Sequence, residues 1–198
     1  MKKASIFVLA CLVLVDCTSG KRGNFMGLTG KKVVMVISPG DFRDEELFHT
    51  KEVLEANNVT VKIASTSKGT FTGKLGAQAT ADLSLEEITL DYDAIVFVGG
   101  PGASTYFGNK KALSLAKEFY DAGKVTAAIC IAPSILANAG LLEGKKATAF
   151  SSEERNLTEK KANYTGNQVE IDGLLVTANG PEAARAFGSE ISRLLSNQ

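Results

Sequence analysis

Thr126-Ala127-Ala128-Ile129-Cys130-Ile131-Ala132-Pro133-Ser134 reads as a buried strand that passes into a helix with almost no loop. A chain that changes direction in so few residues forces the corner residue into a strained backbone, as nucleophile elbows do. Ala128 and Ala132 are small enough to permit the close approach. The corner residue is Cys130. A helix N-terminus beside its sulfur presents unpaired N–H groups and a partial positive charge, which predicts a lowered thiol pKa. A lone free cysteine is also commonly a buried structural residue, and geometry alone leaves the two readings level.

Outward from the elbow the pattern is regular. Val33–Ile37 and Ala94–Val98 are continuous apolar runs, as strands buried on both faces require. Val59–Ala64, Lys146–Phe150 and Leu174–Ala178 read as further strands. Phe71–Thr80, with Gly73 and Gly76, reads as a hairpin-like excursion. Helices are expected over Asp44–Ala56, Asn109–Ala122, the stretch from the elbow to Ala139, and Pro181–Leu195; Gly123 and Gly140 stop the middle two. Strands alternating with helices imply an α/β fold: a single flavodoxin-like three-layer sandwich, its sheet mostly parallel with helices on both faces. Sites in such sheets form at the carboxyl ends of strands. Three features fall there: the acidic segment after the first strand, the turn Gly99-Gly100-Pro101-Gly102, and Cys130. The glycine turn lacks the Gly-Lys-Ser/Thr ending of a phosphate loop.

The chain has 198 residues and zero formal net charge, which suits one domain and gives no basic footprint for nucleic acid. Hydrophobic residues at 44% and charged residues at 22% supply an ordinary globular core. No cofactor and no metal is expected. There is a single histidine, His49, which limits the available catalytic dyads.

Residues 1–20 read differently. Lys2 and Lys3 precede an apolar run from Ile6 to Val15, followed by small and polar residues. This is the layout of an export segment. Leu14-Val15-Asp16-Cys17 resembles a lipobox, although Asp16 departs from the small residue expected there; Val8-Leu9-Ala10-Cys11 fits better but leaves a very short apolar region. Residues 21–31 make a polar tether, and 32–198 the folded domain. The expectation is export with membrane attachment through the N-terminal segment alone; translation from Met26 would instead leave a cytoplasmic protein. Once that segment is set aside, Cys130 is the one thiol of the folded part. Three N-x-T sequons begin at Asn58, Asn156 and Asn163, and matter only in an exported protein of a glycosylating organism.

The string Ala127–Thr148 (AAICIAPSILANAGLLEGKKAT) resembles the DJ-1/PfpI superfamily, which shares the class I glutamine amidotransferase-like fold. Val98-Gly99-Gly100 resembles its glycine turn, Lys68–Lys74 its hairpin entry, and Asp41-Phe42-Arg43-Asp44-Glu45-Glu46-Leu47 its acidic segment. The resemblance covers most of residues 32–195. It implies that Glu46, aligned on Phe42 and Leu47, hydrogen-bonds the Cys130 sulfur as a protonated donor. It also implies that the N–H groups of Gly100 and Ile131 form an oxyanion hole, and that the chain forms a homodimer.

Three departures bear on activity. The position after the cysteine, histidine in PfpI-like proteases, is Ile131; the strand histidine of the DJ-1-like branch matches Phe150; and Ala132 replaces the usual glycine. No histidine base is therefore assigned to Cys130, and a conventional Cys–His protease is disfavoured. The functional expectation is cysteine-dependent hydrolase, glyoxalase- or deglycase-like chemistry on small carbonyl, acyl or peptide substrates, with Cys130 and Glu46 as catalytic residues. Two alternatives are kept: a non-enzymatic redox-sensing or chaperone-like protein acting through Cys130 oxidation, and a binding module that kept the fold without the chemistry.

Overall fold

The computed structural model describes residues 28–198. The export segment, most of the tether, Cys11, Cys17 and Met26 lie outside the described residues. In chain order the first half holds β1 (Lys32–Val36), α1 (Asp44–Ala56), β2 (Thr60–Ser65), β3 (Gly69–Thr72), β4 (Gln78–Ala81), β5 (Leu83–Ser84) and β6 (Ala94–Phe97). Next come α2 (Lys110–Asp121), β7 (Val125–Ile129), α3 (Pro133–Asn138), β8 (Lys146–Ala147) and α4 (Glu154–Glu159). The chain closes with β9 (Asn163–Tyr164), β10 (Val169–Asp172), β11 (Leu175–Ala178) and α5 (Ala184–Leu195).

Seven strands form the central sheet in the order β10-β11-β7-β6-β1-β2-β5. All neighbours pair in parallel except the β10 edge, which runs antiparallel to β11. The apolar runs β1, β6 and β7 occupy the middle because only there are both faces of a strand covered. Alternate residues of β1 divide between two cores. Val33 and Met35 pack with Leu47, Leu54, Phe187 and Ile191 of α1 and α5. Val34 and Val36 pack with Leu115, Phe119, Ile135 and Leu136 of α2 and α3. The architecture is the expected α/β sandwich with a mostly parallel sheet between helical layers. Among the described residues no helix is long and apolar enough to cross a membrane.

Two expected elements differ. Lys146–Phe150 is a strand only over Lys146–Ala147, paired with β9 in a separate two-stranded sheet. Its continuation leaves the ladder because the Thr148 amide donates to Thr177 Oγ1 at 2.9 Å and the Phe150 amide to the Cys130 carbonyl at 2.8 Å. The helix after the elbow begins at Pro133, three residues beyond Cys130.

The excursion after β2 is an antiparallel hairpin, β3–β4. It is tied to the start of α1 through the buried Asp44 side chain, which accepts from the Leu75 and Ala77 amides, both at 2.8 Å. Replacing Asp44 with Ala leaves both amides without their charged acceptor. A loss of about 2–3 kcal/mol is expected, with faster hydrogen exchange at Leu75 and Ala77. Unchanged exchange there would show that the hairpin is held by other contacts.

Candidate active site

Cys130 stands at the carboxyl end of β7 with φ of 64°, a left-handed conformation that few residues other than glycine adopt. Its neighbours fix it there. The Cys130 amide donates to the Ala178 carbonyl at 2.8 Å, and the Cys130 carbonyl accepts from Phe150. Cys130 is partly exposed and lines a cleft of about 400 Å³. Arg43, Glu46, Gly100, Pro101, Ile131 and Phe150 contribute to its wall. Ser152, Pro181 and Glu182 complete it.

Glu46 reaches the cleft from the first turn of α1 and is itself fully buried. Its Oε2 accepts from the Gly99 amide at 3.0 Å. Its Oε1 is buried and has no hydrogen-bond partner among the described residues that meets ordinary geometry. The side chain beside that carboxyl is the Cys130 thiol. A buried oxygen that lacks a donor is costly, and a proton shared with the sulfur removes that cost. The amides of Gly100 and Ile131 both donate toward the sulfur. Gly100 can do so because φ of 95° turns its N–H inward, while a Cβ there would run into the backbone of Asp41 and Arg43.

Burial raises the Glu46 carboxyl to about 7, against the pull of the Cys130 and Gly99 hydrogen bonds and of Arg43. Burial also pushes the Cys130 thiol up, to about 12, and the negative charge of Glu46 adds to the rise. The amides of Gly100 and Ile131 pull the other way and do not prevail. The lowered thiol pKa expected from the sequence is thus overturned. The helix start that was to lower it lies three residues away, and the sulfur sits between an apolar wall and a carboxyl. The two groups titrate together. The first proton leaves the pair near neutrality.

The structure brings together all four residues singled out in the sequence: Cys130, Glu46, Gly100 and Ile131. His49 is elsewhere. It lines a neighbouring cleft with Glu45, Pro181, Glu182 and Arg185. Among the described residues no group of His, Cys, Asp or Glu is placed to hold a metal ion. Arg43, Ser152, Pro181 and Glu182 belong to the cleft without any local sequence signal for it. They arrive from the loop before α1, from the turn after Phe150 and from the end of β11, and only the sheet topology makes them neighbours. Glu45 engages Arg43 through two hydrogen bonds of 2.8 and 3.2 Å.

The DJ-1/PfpI family profile matches residues 31–194. An uncharacterized protein of Methanocaldococcus jannaschii is 41% identical over 196 residues, covering 97% of this chain and 96% of its own. Deglycase PfpI of Pyrococcus furiosus is 32% identical over 163 residues, covering 82% of this chain and 98% of its own. The crystal structure of a ThiJ/PfpI domain protein from Brachyspira murdochii superposes with a TM-score of 0.83 at 35% identity, over 85% of this chain and 99% of that one.

Proposed function

The chain belongs to the DJ-1/PfpI family, and from that premise we propose that it is a cysteine-dependent enzyme acting on small carbonyl or acyl compounds. One observation carries the reading: a protonatable carboxyl and two backbone N–H groups converge on a sulfur that faces an open cleft. The deglycase name borne by the Pyrococcus furiosus relative points to carbonyl adducts as the substrate class.

The proposed chemistry follows from the proton inventory. Above pH 7 Glu46 is a carboxylate beside a protonated thiol. As the sulfur adds to a carbonyl carbon, the S–H proton passes to Glu46, and the carbonyl π pair moves onto oxygen. The Gly100 and Ile131 amides then face the new oxyanion. Glu46 returns the proton to that oxygen, giving a hemithioacetal from an aldehyde. With an acyl substrate, Glu46 instead protonates the leaving group, and water hydrolyses the resulting thioester. Peptides are the least favoured acyl substrates, because an amine is a poor leaving group and Glu46 must serve as both proton acceptor and donor where PfpI-like proteases also place a histidine.

The test is turnover of methylglyoxal by the purified chain and its variants. Cys130→Ser is expected to lower the rate by about a thousandfold or more. His49→Ala is expected to stay within about twofold of wild type, since His49 lies outside the Cys130 cleft. An absence of Cys130-dependent turnover overturns the enzymatic reading. Oxygen addition to Cys130 under mild peroxide, in a chain without turnover, would then favour redox sensing, since the same donors also suit an oxidised sulfur.

A further inference from the structure

Phe150 is one of three large apolar side chains left exposed among the described residues, at 47%; Leu75 and Leu90 are the others. Of the three, only Phe150 lines the Cys130 cleft. Its position is fixed. Its amide bonds the Cys130 carbonyl at 2.8 Å, and its own carbonyl accepts from the Glu153 amide at 2.9 Å. The ring lies along Gly180, the residue before Pro181. Ile131, Pro101 and Pro181 extend the same apolar wall.

The charges around the cleft point the same way. Arg43 is engaged by Glu45 at 2.8 Å and offers no free cation. Glu182 makes no ion pair among the described residues and sets a carboxylate at the mouth. Glu46 carries either a shared proton or a negative charge. An anionic substrate would meet no uncompensated positive group on this wall and one or two negative ones.

We propose that the cleft selects neutral carbonyl or acyl compounds bearing an apolar group of about aryl size, with Phe150 as the specificity-determining residue. This rests on the reading of Cys130 as a nucleophile and adds the substrate's side-chain class. An aromatic face left in water is an unfavourable surface, and a substrate's apolar group laid against it removes both surfaces from solvent. Covering about half of such a side chain corresponds to a rate or affinity gain of about tenfold.

The experiment measures Cys130 alkylation in the full chain by N-phenylmaleimide and N-methylmaleimide, each normalised to its rate with glutathione. Peptide mass spectrometry isolates the Cys130 signal from Cys11 and Cys17. The expected result is about a tenfold preference for the phenyl reagent, falling to about twofold or less in Phe150→Ala and to an intermediate value in Phe150→Leu. Iodoacetate is expected to react more slowly than iodoacetamide after the same normalisation. A wild-type protein with no phenyl preference, or a preference unchanged in Phe150→Ala, overturns the inference and leaves the nucleophile reading standing. A Cys130 that resists every reagent overturns both.

Discussion

Glu46→Gln is expected to give a chain that is more stable than wild type above neutral pH and nearly inactive. The Glu46 carboxyl has a folded-state pKa of about 7 against an ordinary value of 4.5. The native state therefore binds more protons than the unfolded state between those values, and stability falls as pH rises through that window. Below pH 4.5 both states hold the proton and the contribution is complete; above pH 7 it is lost. The shift corresponds to about 3 kcal/mol. Gln keeps an oxygen to accept from the Gly99 amide and places an NH2 group toward the sulfur, and it never ionises. Urea melts at about pH 5 and about pH 8 should show the two proteins close together at the lower pH and the variant about 2–3 kcal/mol more stable at the higher one. Exposed carboxylates such as Glu87 titrate equally in both proteins, so the difference of differences isolates Glu46. Activity moves the other way. Gln cannot take the thiol proton, so kcat/KM should drop by about 10²–10⁴, and the wild-type rise in rate through pH 7 should vanish. Equal melts at both pH values would show that Glu46 is not held in a desolvated state. A variant with wild-type turnover would remove its role as proton carrier.

That opposition between stability and activity explains which parts of the molecule were legible in the sequence. Strands β1, β6 and β7 are read directly because burial on both faces leaves an unbroken apolar run. The edge strand β10 went unread, although Val169-Glu170-Ile171-Asp172 alternates apolar and acidic residues and Asp172-Gly173 marks the turn into β11. An alternating run beside an Asp-Gly pair is a hairpin signal. The two-residue strand β5 leaves no pattern at all. Lys146–Phe150 misleads for a physical reason: Ala147, Thr148 and Ala149 are buried, but beyond Ala147 the segment bonds to Thr177 and to the elbow rather than continuing a ladder. The sulfur was readable from its place at a strand end, whereas its carboxyl and its two amides were named only through the family resemblance of the segments that carry them. The protonation of the pair was not readable. A pKa is decided by how many apolar groups surround a sulfur and a carboxyl in three dimensions, and the helix start that would have lowered it proved to be three residues away. Glu182 and Pro181 escaped for a related reason, since nothing near them in the chain refers to Cys130.

The contact between carboxyl and sulfur depends on one missing side chain, and Gly99→Ala tests it. A Cβ at Gly99 would stand 2.5 Å from the Cys130 Cβ, 2.5 Å from Glu46 Oε2 and 2.7 Å from the Ile129 carbonyl oxygen. None of the three can move cheaply. Cys130 is held by the strained elbow, Ile129 is fully buried within β7, and Glu46 is fully buried. The added methyl must therefore push the carboxyl away from the Gly99 amide and from the sulfur together. Overpacking of this kind costs about 3 kcal/mol. Because the same displacement uncouples the proton carrier from the nucleophile, turnover is expected to fall by about a hundredfold or more in the molecules that remain folded. Gly40→Ala is the matched control. It lies in the loop just ahead of α1, its Cβ would meet nothing within 4 Å, and its φ is not positive. Its melt should lie within about 0.5 kcal/mol of wild type. The pH dependence separates a packing defect from a chemical one: with the carboxyl displaced, the rise in alkylation rate of Cys130 near pH 7 should disappear along with turnover. Gly99→Ala with a wild-type melt and a wild-type pH profile would show that the carboxyl and sulfur can meet without the space this glycine leaves. Their coupling would then have to come from elsewhere in α1.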